Sequence, residues 1–317
     1  MPFDRRTFLK SVSAGTIAGG AGLTSLAGDI AACNPAPQQE PGQNSSSPVF
    51  NLGLAAYSFK PNFEFYKGKP AANAPAVETK IDMFGFIDIC AEQNCGAELT
   101  SYFFPPDADR AYFRKIKRYA FLNGVPIVGT AIGNNFTIPQ GKKLVKQIAD
   151  AKLWIDRAVE MGAPHIRFFA GKRKEIEDSP EVMNNAIVAL QECVDYAGQA
   201  GAFIGVENHG GLTGDQIVEI VDRIQSDWFG VNLDTGNFVS PDPYADIEQC
   251  APHAIHVQVK VKMKTMTKGK KVDADLERIS NILKKANYRG NIVLEYEEKD
   301  PIENVPIALE RMRALFT

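Results

Sequence analysis

From residue 49 onward the chain alternates between two hydrophobic rhythms. Short segments with every second residue apolar are each followed, after a loop, by longer stretches with apolar residues three and four apart. The first rhythm predicts strands near Leu52–Tyr57, Ala97–Thr100, Pro126–Ala131, His165–Ala170, Phe203–Glu207, Gly230–Asp234, Ile255–Val259 and Ile292–Tyr296. The second predicts helices near Ile81–Gln93, Asp107–Leu122, Gly141–Met161, Pro180–Ala200, Gly214–Ile224, Pro243–Cys250, Ala274–Ala286 and Ile302–Leu315. Ser179-Pro180-Glu181 and Asp273 resemble helix N-caps, while Gly124, Gly162, Gly201 and Gly290 lie just past helix ends. Eight alternations over about 270 residues predict one α/β domain, a (β/α)8 TIM barrel over residues 49–317, with an open doubly wound sheet as the alternative. The connection from Lys60 to Lys80 is long for its place and contains Pro61, Pro70 and Pro75. It reads as a lid over the C-terminal face or as a disordered insertion.

The last four strands carry an unusual second face. Val231, Leu233, Ile255, Val257, Val259, Ile292, Leu294 and Tyr296 make an apolar side, but Glu207, Asn232, Asp234, His256, Gln258, Lys260, Glu295 and Glu297 fall on the other. Carboxylates and carboxamides on the inner face of successive strands suit a shared cation better than core packing, and barrel chemistry sits where strands end. Glu207, Asp234, Gln258 and Glu295 offer four oxygen donors, a set suited to one divalent metal such as Mn²⁺, Mg²⁺ or Co²⁺. His256 lies deeper in its strand and is the alternative ligand; its nitrogen would bring Zn²⁺ into range, although a Cys-rich zinc site is excluded by residue type.

Several neighbours admit two readings. His209 reaches the mouth or bonds to backbone, and Lys260 binds a substrate oxygen or pairs with Glu297 across neighbouring strands. Glu98 touches substrate or is a buried carboxylate paired with Arg167, which itself reads as one half of a structural ion pair. The segment Lys262–Lys271 lacks a glycine-rich anion nest and reads as a solvated basic loop.

The N-terminus changes the picture of where this chemistry takes place. Asp4-Arg5-Arg6-Thr7-Phe8-Leu9-Lys10 forms a twin-arginine signal, and Ile30-Ala31-Ala32-Cys33 is lipobox-like. Residues 1–33 are thus expected to be a signal peptide and Asn34–Pro48 a disordered Pro/Gln/Ser-rich tether. The expectation is an exported protein, periplasmic or held on the membrane as a lipoprotein, with Cys33 as its only membrane attachment. Cys90, Cys95, Cys193 and Cys250 form no metal-finger spacing. The net charge of -3 lacks the footprint of a nucleic-acid partner.

The segments VENHG (Val206–Gly210), LDTGN (Leu233–Asn237), HVQVK (His256–Lys260) and VLEYE (Val293–Glu297) resemble the xylose isomerase-like sugar phosphate isomerase/epimerase superfamily of TIM barrels. ELTSYF (Glu98–Phe103) and RFFAG (Arg167–Gly171) fit as well. The resemblance implies a divalent metal held by Glu207, Asp234, Gln258 (a His in many relatives) and Glu295. It also implies that Glu207 and Glu295 shuttle the proton beside a carbonyl; His209, Asn237, Lys260 and Glu98 are the candidates for contact with substrate. The chain departs from the ketose 3-epimerases at Asn237, where they tend to carry His.

The expected activity is therefore metal-dependent isomerisation or epimerisation of a small carbohydrate, with β-elimination from a 3-keto-glycoside or non-catalytic sugar binding as alternatives. A homo-oligomer is compatible with the sequence. A three-zinc nuclease, also on this fold, would need more histidines than His165, His209, His253 and His256.

Overall fold

Parallel strands need a long crossover between them, and covering both faces of such strands with apolar contacts is what makes them stable. Ile166, Phe168, Ile204, Val206, Val231, Leu233, Val257, Val259, Ile292 and Leu294 alternate along their strands and all point into one buried apolar layer. The structure, a computed structural model, describes residues 50–71, 80–224 and 226–316. The twin-arginine motif, Cys33 and the tether to Pro48 lie outside the described residues.

Eight parallel strands close into a barrel: β1 (Phe50–Ala55), β2 (Gly96–Thr100), β3 (Ile127–Ala131), β4 (His165–Phe169), β5 (Phe203–Glu207), β6 (Phe229–Asp234), β7 (Ala254–Val259) and β8 (Gly290–Leu294). The barrel is sealed by β8 against β1, with Leu52 opposite Ile292. Around it run α1 (Met83–Glu92), α2 (Arg110–Leu122), α3 (Lys142–Met161), α4 (Glu181–Ala200), α5 (Gly214–Arg223), α6 (Pro243–Cys250), α7 (Leu276–Lys285) and α8 (Pro301–Phe316). Each helix follows its strand, which is the (β/α)8 order that the two rhythms predict.

The differences from the expected boundaries have local causes. β1 ends at Ala55 because Ala56–Phe59 turns into a 3-10 helix. There the Ser58 hydroxyl donates to the Leu294 carbonyl at 3.3 Å and accepts from the Tyr296 amide at 2.9 Å. Asp275, not Asp273, caps α7 by accepting from the Arg278 amide at 2.9 Å, because Asp273 belongs to a small hairpin of Lys262–Lys264 with Lys271–Asp273. Near Gly290 the left-handed residue is Asn287, with φ 53°. A short helix at Arg173–Asp178 buries none of its residues, so it leaves no apolar period to read.

The lumen side of the strands holds the polar residues, packed to the limit of the space. A methyl group on Gly205 would lie 2.5 Å from His165 Nε2 and 2.9 Å from Asn232 Cβ. Gly205→Ala is expected to cost about 1–3 kcal/mol by overpacking, measured by urea denaturation. An undiminished midpoint would show that the lumen has slack.

Candidate active site

At the C-terminal end of the barrel, side chains from five strands, β4 to β8, and their loops meet in one buried charged web. Arg167 leaves β4 and places Nε 2.8 Å from Glu207 Oε2, off the line of a hydrogen bond, while its Nη1 donates to the Ile132 carbonyl at 2.5 Å. Both side chains are about 4 % exposed. Burial by itself raises a carboxylate's pKa, but here the Arg167 guanidinium wins and holds Glu207 at about 2. Arg167 lies over the Phe169 ring at 4.0 Å, and His209 stacks on the same ring at 4.2 Å. His209 Nδ1 is 3.1 Å from Glu207 Oε1, and its ring is half exposed at the mouth.

Asn237 joins Glu207 to the next carboxylate. Its Nδ2 donates to Glu207 Oε1 at 2.8 Å and to Asp234 Oδ2 at 2.6 Å. The loop after β6 is pinned by Asn208, whose amide donates to the Asp234 carbonyl and accepts from the Asp234 amide, both at 2.8 Å. The Asn237 carbonyl oxygen accepts from Lys264.

Lys260 lies just past β7, and its ammonium sits 3.1 Å from each of Asp234 Oδ2, Glu295 Oε2 and Glu297 Oε1. Burial opposes its charge, yet these carboxylates raise its pKa well above the ordinary lysine value. The carboxylates divide accordingly. Burial pushes Glu295 up to about 8 against the pull of Lys260, and raises Asp234 for the same reason. Glu297, which is more open, is burdened by burial but lowered overall by Lys260.

One layer deeper lies a second network. Glu98 on β2 reaches across the lumen to His256 Nε2 at 2.9 Å and accepts from Gln258 Nε2 at 2.8 Å. Gln258 Oε1 accepts from Asn232 Nδ2 at 2.9 Å. His165 stacks on His256 with ring centroids 4.3 Å apart, and both of its ring nitrogens lack a protein partner. Burial holds His165 well below the ordinary histidine pKa, helped by His256 and Arg167.

The described part of the Lys60–Lys80 connection stands over this face. Its hairpin, Phe65–Tyr66 with Lys69–Pro70, is tied down by the Lys67 amide donating to the Tyr102 carbonyl at 2.7 Å. Phe63 stacks on Phe103 at 4.3 Å. Tyr57 lies among the same groups, its phenol pushed up by burial and by the charges of Tyr66, Glu297 and Glu295. Beside the mouth a cavity of about 490 Å³ opens between the ends of β2 and β3 and the helices α2 and α3, lined by Tyr102, Phe104, Asn134, Trp154 and Arg157.

Glu207, Asp234, Lys260, Glu295 and Asn237 are thus brought together, with His209 at their edge. Gln258 and Glu98 are placed elsewhere: they bind each other below the mouth, and Arg167 pairs with Glu207 in place of Glu98. The basic loop is not wholly solvated, since Lys264 reaches Asn237, and Lys271 bonds to Glu298 at 2.7 Å. Sequence reasoning missed Tyr57, Asn208 and His165. The inward phase of β4 is the signal that would have found His165, two residues before Arg167.

A divalent ion needs several free oxygen donors converging at about 2.0–2.6 Å. Gln258, an expected ligand, has both amide ends turned to protein partners, Glu98 and Asn232, and the alternative, His256, has Nε2 against Glu98. Asp234, Glu295 and Glu297 converge on the Lys260 ammonium, and Glu207 on Arg167. Among the described residues no three His, Cys, Asp or Glu side chains are grouped to hold a metal ion. An added dication at that point would have to share the same carboxylates with the buried Lys260 ammonium. The donor set therefore does not fit a resident divalent metal.

A family model described as xylose isomerase-like TIM barrel matches residues 84–315, and the chain belongs to that family. No curated protein matches it in sequence. Among solved structures, a xylose isomerase domain protein from Planctomyces limnophilus is 14% identical, with a TM-score of 0.64 over 85% of this chain and 98% of that one. D-psicose 3-epimerase from Clostridium cellulolyticum, solved with D-tagatose, is 14% identical at a TM-score of 0.65 over 84% and 99%. A xylose isomerase-like TIM barrel protein from Mycobacterium smegmatis, in complex with magnesium, is 17% identical at 0.61 over 86% and 99%. At these identities the likeness is one of fold.

Proposed function

We propose that this chain is a carbohydrate isomerase or epimerase that moves a proton on the carbon beside a carbonyl. One observation carries the reading: two buried carboxylates, each with its own cation, are linked into a single mouth through Asn237 and Asp234. Binding alone would not call for a second buried acid. Epimerase structures with the same fold support the substrate class.

In this reading the sugar carbonyl lies toward Arg167 and Lys260, whose positive charges stabilise the negative charge that develops on its oxygen. Glu295 takes the proton from the neighbouring carbon and returns it, while Glu207 stays ionised and fixes Arg167, Asn237 and His209 around the ring. If the substrate is epimerised, the ionised Glu207 takes the proton from one face and Glu295, in its protonated form, gives one to the other; the two carboxyls then return to their starting states by exchange with solvent. The expectation of a resident divalent ion is not carried into this reading, because Lys260 and Gln258 leave it no donor set.

A second reading has one observation in its favour. The cavity beside the mouth, with Tyr102, Phe104 and Trp154 in its wall, has room for a second ring. A 3-keto-glycoside seated there would lose its aglycone after the same proton abstraction. Export by the Arg5-Arg6 signal, with Cys33 as a lipid anchor, belongs to the same proposal and favours glycosides from outside the cytoplasm.

The test is proton NMR of the purified protein in D₂O with a panel of ketoses and 3-keto-glycosides. Deuterium should enter at the carbon beside the carbonyl, with aglycone release if the lyase reading holds. No exchange with any member of the panel would sink the proposal.

A pH profile follows from the same roles. A base must be ionised to accept a proton, and Glu295, raised by burial to about 8, is protonated below that pH and ionised above it. kcat/KM should therefore rise with pH and level off near 8. A rate that falls above 8 would make Glu295 the acid instead.

A further inference from the structure

Three carboxylates grouped around one point is the arrangement of an oxygen-ligand cation site. Here Asp234, Glu295 and Glu297 surround a point that already holds a cation carried by the chain itself, the Lys260 ammonium, 3.1 Å from each. The lysine is 5 % exposed, so this is no surface pair that solvent would loosen. Its stem is also accommodated. A methyl group on Gly236 would lie 2.8 Å from Lys260 Cβ and 2.9 Å from its Cδ, so the side chain runs in a groove that only glycine leaves open. The Lys260 amide donates to Thr235 Oγ1 at 3.2 Å, which fixes where the stem begins. At the neighbouring position an expected ligand, Gln258, is turned down to Glu98 and Asn232.

We propose that Lys260 is the resident cation of this barrel mouth, holding the place of a divalent ion with a single positive charge, so that the native protein works without one. The proposal stands on the geometry of the mouth, whichever carbohydrate reaction runs there. An ammonium differs from a metal in what it offers a substrate. Its three N–H donors already face three carboxylates, so orientation of the sugar falls to Arg167, His209 and Asn237.

If the ammonium excludes a metal, removing it should uncover a metal site. The experiment is a Mn²⁺ titration of the full chain, followed by the electron paramagnetic resonance signal of free Mn²⁺ and by thermal melting. Wild type should leave the free signal undiminished up to about 1 mM, the weak end of oxygen-ligand sites. Lys260→Met and Lys260→Ala should each take up about one Mn²⁺ per chain, with Tm raised by several degrees. Adding Glu295→Gln to Lys260→Ala should weaken that uptake at least about tenfold.

Stoichiometric uptake by wild type overturns the proposal, and so does a folded Lys260→Ala that ignores Mn²⁺. If the variants fold only when refolded with Mn²⁺, that requirement is itself the expected result. If neither folds under any condition, the wild-type titration decides: uptake refutes, refusal supports. None of these readouts needs a substrate, so they stay separate from the test of the carbohydrate activity.

Discussion

Arg167→Met is expected to lower stability by about 3–5 kcal/mol, which for a domain of this size is roughly 10 °C in Tm. The cost does not come from losing a strong attraction. It comes from leaving the Glu207 carboxylate, 3 % exposed, without its cation in a medium that solvates charge poorly. The Ile132 carbonyl loses a donor, and the Phe169 ring loses the guanidinium that covers it. The linkage has a definite sign. Because Glu207 is depressed to about 2 in the fold, its contribution is present above the ordinary carboxylate range and disappears as pH falls toward 2. The variant should therefore lose most at neutral pH and converge on wild type in acid. The double variant Arg167→Met/Glu207→Gln, which removes both charges, should recover much of the loss. Thermal melts of the three proteins across pH check this, and a single-variant loss within about 1 kcal/mol would show that water reaches the pair.

Glu295→Gln is expected to abolish exchange of the substrate proton with solvent, a fall of about 10²- to 10⁴-fold. The replacement keeps the shape and an acceptor toward Lys260, so the fold should be kept and a sugar should still bind. What is lost is a group able to take a proton and give it back. Deuterium incorporation measured beside ligand binding separates the roles. If the variant retains exchange, the proton carrier is another residue, with Glu207 the next candidate. If wild type shows binding and no exchange on any sugar tried, the barrel is a binding protein.

The barrel was legible because period two and period three-to-four are properties of single segments. The inward phase of β5 to β8 was legible for the same reason, and it is what put Glu207, Asp234 and Glu295 on one face. Partners were not legible at that level. Gln258 and Glu98 are 160 positions apart, and nothing local says that their amide and carboxylate meet in the lumen below the mouth. Lys260 could be read as an inward residue. That its stem follows Gly236 to a point among three carboxylates depends on the stagger of β6 and β7, where pairing slips between Val231 and Asn232. Asn208, which alternation turns away from the lumen, shows its role only once the tips of β5 and β6 are seen side by side. The Asp273 cap failed because a hairpin with no apolar alternation of its own claims that residue.

The amide exchange between Asn208 and the Asp234 peptide works as one more rung of pairing beyond the last backbone ladder of the sheet. It ties the tips of β5 and β6 together at the rim of the barrel. Under the proposed activity, a sugar arriving there would meet Asp234 and Asn237 already held in place, with less entropy to surrender on binding. If that activity holds, selectivity would turn on which ring fits the held arrangement, and Asn208 would be the position at which to loosen it.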